Sequence, residues 1–315
     1  MIVNQPTSLS LDNSALRYHF SAWEVLLEVI DDFDRFHQET LDGSEVTWNL
    51  EFQEYLGKSL YELEQIYTYL SQASEIKLRS MVCEVSPFLL LANSENKFKS
   101  GAGDVDFTEL RTVDAVDLPA LVNVSGNRKL PDDFVRSYHG VRSQRNKIMH
   151  LGAGPKKFDH LEVISALVSQ YQCLWEGKRW FKNWVEHSSS TRYAHFHDEK
   201  YSSEYTGVIL YVPTLSMLLT KSQFRVLFGF SKSIRRYICW SCCEAACVER
   251  NGFDPRDLKT AVLAGGDQLN CAVCEEQYRI RRCQCRAEGC KGNVILDEDD
   301  MDPMCLTCGS YYEEP

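Results

Sequence analysis

Eleven of the chain's 13 cysteines lie between residues 239 and 308, while Cys83 and Cys173 stand alone. Two Cys-x-x-Cys pairs, "CWSC" (239–242) and "CAVC" (271–274), are separated by 28 residues. Four thiolates in two such pairs suit one tetrahedral structural zinc site, with Cys239, Cys242, Cys271 and Cys274 as ligands. "CQCRAEGC" and "CLTCG" supply a second set, Cys285, Cys290, Cys305 and Cys308, in which Cys283 is an alternative to Cys285. Gly309, directly after Cys308, suits a tight turn whose backbone N–H groups point at sulfur. Cys243 and Cys247 receive no role. A secreted disulfide framework goes with a short chain and a leader segment, and the N-terminus has no basic stretch followed by an apolar one. The expectation is two structural Zn²⁺ ions per chain and no catalytic metal, because four thiolates leave no open coordination position. The bland alternative is that some of these residues are buried free thiols.

The longest apolar stretch, 206 to 219, contains Pro213 and is shorter than the roughly 18 residues a membrane span needs. The reading is a soluble, cytoplasmic protein with no membrane partner. A formal net charge of −11 disfavours indiscriminate binding to phosphate backbones. Local sign differs. Between 131 and 160, Arg136, Arg142, Arg145, Lys147, Lys156 and Lys157 face only Asp132, Asp133 and Asp159.

Apolar residues recur at helical spacing from 12 to 42 (Leu16, Phe20, Trp23, Leu27, Ile30) and from 48 to 71 (Phe52, Leu56, Leu63, Leu70). A third apolar segment runs from Ile76 to Leu91, with Pro87 as a kink or stop. Residues 92 to 106 read as a loop, and 107 to 130 as an irregular insertion with a short strand at "LPALVNV". Pro131 opens a helix ending near Gly152, with Asp132 and Asp133 complementing the positive dipole end. One long helix follows from Phe158 toward 186 (Leu161, Ile164, Val168, Tyr171, Trp175), then a loop at "EHSSSTRYAHFHDEK", then one or two elements between 207 and 230, helical at "KSQFRVLFGF". The expected fold is mainly α: an all-α bundle over 1–230 with a loop insertion around 92–130, and a small cysteine-rich, zinc-ribbon-like domain over 231–315.

Within the basic segment, "RNKIMH" (145–150) places Arg145, Asn146 and His150 near the end of an internal helix. This pattern resembles the HEPN superfamily, whose nuclease members carry Arg, four to six residues, then His. The resemblance implies a HEPN-like helical bundle, metal-independent endoribonuclease activity at a dimer interface, and a place among toxins or anti-phage defence effectors, which admits an antitoxin or other regulatory partner. It maps Arg145, Asn146 and His150 to the motif positions. Position 152 is Gly where some toxin members carry Tyr. A second match to the bare pattern, Arg192 and His197 in "RYAHFH", follows a loop-like stretch.

The chemistry suits the residue types. Cleavage of RNA by its own 2′-hydroxyl needs a proton carrier that titrates near neutrality and a cation on the phosphate, here His150 and Arg145, with Asn146 orienting His150 at i and i+4. Arg142, Lys147, Arg281 and Arg282 are weaker RNA-binding candidates. At about 100° per residue, Arg145 falls about 20° from Phe134, inside the stripe of Tyr138, Val141 and Ile148, whereas His150 falls about 160° away. A charge within an apolar stripe needs a partner or a polar cleft, and a two-fold interface would supply one, so a homodimer with a composite site is expected. Two further readings stand beside the nuclease. One is a non-catalytic helical domain with a zinc-ribbon interaction module. The other is a zinc-dependent nucleic-acid-binding regulator using Arg279, Arg281, Arg282 and Arg286 beside Tyr278.

Overall fold

The apolar periodicity from Ser8 onward becomes a 33-residue helix, α1 (Ser8–Thr40), which buries Phe20, Trp23, Leu27 and Ile30 along one face. The computed structural model describes residues 1–40, 45–92, 103–126, 128–151, 159–191, 206–249, 254–299 and 301–311. The chain is mainly helical and forms two compact units, Met1–Gly177 and Lys178–Pro315. That division falls earlier than the shift in composition at 230/231, so the helices between 180 and 228 group with the cysteine-rich region.

In the first unit, the apolar pattern expected over 48–71 is broken at Ser59. It divides between α2 (Glu45–Lys58) and α3 (Leu60–Val85), and α3 absorbs the start of the third apolar segment. The helix stops before Pro87, whose ring suits the first turn of the short 3-10 helix Pro87–Leu90. α3 is the central helix of the unit, packing against α1, α4 (Leu118–Ser125), α5 (Asp132–Leu151) and α6 (His160–Leu174). "LPALVNV", expected as a strand, is the helix α4: Pro119 sits in its first turn, and Leu118 and Val122, four apart, bury on one side. The expected helix from 158 to 186 is likewise two helices. α6 ends at Leu174, and the chain turns through Gly177 at φ +76° before α7 (Trp180–Ser188). In α6 the stripe buries Ile164, Val168 and Tyr171, with Trp175 at its cap, but Leu161 is exposed. Two short parallel strands, β1 (Ile2–Val3) and β2 (Val105–Asp106), tie the N-terminus to the insertion.

The core of this unit carries a polar network that fixes the register of its three main helices. Lys77 Nζ lies 2.8 Å from Asp12 Oδ1, which also accepts from Trp175 Nε1 at 2.7 Å. Trp23 Nε1 donates to His19 Nε2, so His19 Nδ1 carries the proton that it gives to Gln170 Oε1 at 2.7 Å. Gln170 in turn donates to the Leu70 carbonyl. Such groups hold one helix against another at a single rotation, because any slip leaves a buried polar atom unpaired.

The second unit opens with α7, α8 (Thr206–Ile209), α9 (Val212–Leu218) and α10 (Lys221–Phe228), around the buried rings of Trp180, Phe181, Trp184, Phe224 and Phe228. α10 begins with a capping box, Thr220 with Gln223, and ends at Gly229 in the left-handed region. α11 (Trp240–Glu249) follows. The strands β3 (Ala261–Gly265), β4 (Gln268–Cys271), β5 (Gln277–Arg281) and β6 (Ile295–Leu296) then form an antiparallel sheet in sequence order. No described helix is long and apolar enough to cross a membrane.

Candidate functional site

Both expected cysteine sets come together. The sulfur atoms of Cys239, Cys242, Cys271 and Cys274 all lie within 4.8 Å of one another, as do those of Cys285, Cys290, Cys305 and Cys308. A tetrahedron with Zn–S bonds of about 2.3 Å has sulfurs about 3.8 Å apart. The separations Cys239–Cys274 (3.4 Å), Cys242–Cys271 (3.6 Å), Cys285–Cys308 (3.9 Å) and Cys290–Cys305 (3.9 Å) sit around that value. The all-thiolate donor sets are compatible with two structural zinc sites, and Cys285 rather than Cys283 completes the second. Cys283 is half-buried and packs beside that set, Cys243 is buried, and the side chain of Cys247 lies outside the described residues.

Local geometry explains how the sequence builds these sites. Cys239 immediately precedes α11 and Cys242 lies in its first turn, at the positive end of the helix dipole that favours thiolate, and Cys271 ends β4. Backbone N–H groups two residues on donate to sulfur at Cys271 (Val273, 3.3 Å), Cys285 (Ala287, 3.4 Å) and Cys290 (Gly292, 3.3 Å). Gly309 forms the expected tight turn, in left-handed backbone at φ +80° with its N–H on the Cys305 carbonyl, and the N–H groups of Thr307 and Cys308 point at the Cys305 sulfur and that of Ser310 at the Cys308 sulfur. The equivalent position after Cys274 is Glu275 at φ +65°, and its carboxylate pairs with Arg179 at 2.6 Å. Gly292 is required by space, because a Cβ there would stand 2.7 Å from Thr307 Cβ and 2.8 Å from Cys305 Sγ.

Four thiols this close cannot all ionise without a cation. Burial pushes Cys305 up to about 12. Burial also opposes ionisation of Cys308, but hydrogen bonding with Ser310 and with the neighbouring thiols outweighs it and brings that group down to about 7. In the first set, Thr260 Oγ1 lies 3.2 Å from Cys271 Sγ, and the Tyr278 hydroxyl lies 3.6 Å from Cys239 Sγ while donating to Ser241 Oγ. These hydroxyls orient the sulfurs from outside the ligand set.

Strand alternation turns Tyr278 and Ile280 inward, so Tyr278 is buried beneath the arginine-bearing edge. Arg279 is held by the Asp297 carbonyl, Asp299 and Glu298, and Arg281 lies 3.8 Å from Asp297. Arg282 and Arg286 are exposed. The edge is therefore an acid-paired surface with two outward arginines.

In α5, Phe134, Tyr138 and Ile148 are buried as the apolar stripe requires. Arg145 lies within it, half-buried, and its Nη2 is 3.7 Å from Glu75 Oε2 on α3. Glu75 is shared, since its other oxygen lies 3.2 Å from Arg79 Nη2. Arg79 also donates to Thr112 and to the Val113 carbonyl. The carboxylate thus supplies, within one chain, the compensation that helix angles alone assigned to a two-fold interface. Tyr138 donates to the Ala115 carbonyl at 2.6 Å, and its hydroxyl is pushed up to about 12 by burial first and then by Glu75, against Arg142, Arg79 and Arg145.

Asn146 is half-buried, Lys147 is exposed, and His150 is exposed at the C-terminal end of α5. Arg145 and His150 therefore leave the helix on different sides, one toward α3 and the other into solvent. Gly152 and the second match, Arg192 and His197, lie outside the described residues. Glu75 and Arg79 were missed in the sequence, where they look like an ordinary i, i+4 pair on an exposed helix face. No protein-family model, curated protein or solved structure matches the chain.

Proposed function

We propose that the protein is a metal-independent endoribonuclease of HEPN type, acting as a homodimer, with two structural zinc ions in its cysteine-rich part. The observation that carries this reading is the end of α5, where His150 is open to solvent one turn beyond an arginine held in place by Glu75. In the reaction, His150 takes the proton of the RNA 2′-hydroxyl or supplies one to the departing 5′-oxygen. The 2′-oxygen forms a bond to phosphorus as the bond to the 5′-oxygen breaks, leaving a 2′,3′-cyclic phosphate. Arg145 balances the charge that builds on the phosphate, and Asn146 orients the imidazole. A straight helix separates Arg145 and His150 by about 140°, so a second copy supplies the missing half of each site. Met149, 61% exposed beside His150, gives that contact an apolar element. RNA is then the substrate, and a toxin or defence role with an inhibitory partner follows from the same resemblance.

Purified protein incubated with total RNA in EDTA is expected to cleave it in a short assay, with cyclic phosphate ends. Arg145→Ala or His150→Ala should lower the rate by about 10²-fold or more. Mixing the two inactive variants should restore cleavage if the site is shared. A specific observation favours a second reading, a non-catalytic helical domain with a zinc interaction module: the Glu75–Arg145 pair gives Arg145 a structural use. Wild-type protein that leaves RNA intact, while Arg145→Ala and Glu75→Ala both lower stability, would select that reading.

A further inference from the structure

Glu75, Arg79 and Arg145 meet where α3 faces α5, and Arg142 stands three residues before Arg145 on the same side of α5. One carboxylate serves two guanidinium groups there, Arg79 at 3.2 Å and Arg145 at 3.7 Å, and all three side chains are 18–20% exposed. Arg142 adds a third guanidinium, half-buried, with no hydrogen bond or ion pair among the described residues. The Nε atoms of Arg142 and of Arg145 are enclosed and have no acceptor. The cluster therefore carries three positive charges against one negative. A surplus of this kind, held on partly buried side chains that still reach solvent, is only partly compensated within the protein and matches an anion.

The donors also have an arrangement. Arg142 and Arg145 are three residues apart on α5, so their side chains leave the same face as neighbours. Arg79 is different, because its donors are taken by Thr112, Val113 and Glu75, which makes it the anchor of the carboxylate. Planar guanidinium groups pair with two oxygens of a phosphate at once.

We propose that Arg142 and Arg145 form a two-arginine clamp for a phosphodiester of RNA, with Glu75, held by Arg79, as the positioning residue that aims Arg145. This deepens the nuclease reading and rests on it for the identity of the ligand. The clamp itself is tested by binding alone. Glu75 has a dual effect: it fixes Arg145 and, as a negative charge, opposes the phosphate.

The probe is a 2′-O-methyl RNA oligonucleotide, which lacks the attacking hydroxyl and cannot be cleaved by this chemistry. With folded full-length protein, Arg142→Gln is expected to weaken binding about tenfold and to reduce the slope of log K against log salt by about 1. Arg142→Lys, which keeps charge but not the planar fork, should fall between. Arg136→Gln, on the same helix but exposed and paired with Asp133, should bind within about twofold of wild type. Glu75→Gln should bind the probe more tightly yet cleave RNA more slowly, a split that a bracing role alone would not produce. Wild-type binding by Arg142→Gln, or an equal loss in Arg136→Gln, overturns the clamp. Should Arg142→Gln fail to fold, the order Arg142→Lys weaker than Arg136→Gln decides in its place, and equal binding by these two counts against it. Probe binding that depends on Arg142 in a protein that cuts no RNA keeps the clamp and removes the nuclease. Cleavage without that dependence does the reverse.

Discussion

Lys77 and Asp12 show what a single buried charge demands. Each is under 10% exposed, and the pair survives burial because the carboxylate is also bonded to Trp175. Asp12→Asn keeps an acceptor for the indole but strands the ammonium, so it is expected to lower stability by about 3 kcal/mol. The double variant Asp12→Asn with Lys77→Met removes both charges and should recover most of that loss. Urea unfolding of the full chain, followed by the helical signal, measures both; a double variant no better than the single would contradict the account. Glu275 is the opposite case, a non-glycine residue in left-handed backbone after a cysteine pair, where Gly309 occupies the matching turn without strain.

Each four-cysteine set draws on two separated stretches of chain, and the turns within them carry the precision. Gly292 lies against Cys305 Sγ, so Gly292→Ala forces backbone or ligand to move by several tenths of an ångström. Elemental analysis of that variant is expected to give about one zinc per chain where wild type gives about two, with the first set intact. Two zincs bound as tightly as in wild type would show that the turn can yield. Among the helices, α3 has the most demanding position, since it meets α1, α4, α5 and α6 and also presents Glu75 and Arg79 to α5.

The two compact units draw stability from different sources. Met1–Gly177 has long helices and a continuous apolar core with an internal polar network, whereas the cysteine-rich end of Lys178–Pro315 has short strands and two four-sulfur sets. Structural zinc contributes about 10–16 kcal/mol of apparent binding energy per site in small metal domains. Prolonged chelation should therefore raise amide exchange between 239 and 308 while α1, α3 and α6 stay protected. Hydrogen exchange read by mass spectrometry checks this, and uniform loss of protection across both units would contradict it.

The helical periodicity of the first unit, the two four-cysteine sets and the tight turn at Gly309 were legible in the amino-acid sequence alone, because each is written in local spacing. Apolar residues three and four apart, or cysteines two apart around a turn, need no distant partner to be recognised. "LPALVNV" misled as a strand because its apolar run has no period of its own in seven residues, and the packing of Leu118 and Val122 selects the helix. The break at Ser59 and the turn at Gly177 also depended on context. The company kept by Arg145 is set by helix packing alone. Glu75 and Arg79 lie about 70 residues away in sequence and meet it because α3 and α5 pack, so a charged residue in an apolar stripe gains its counter-charge only once the chain is folded.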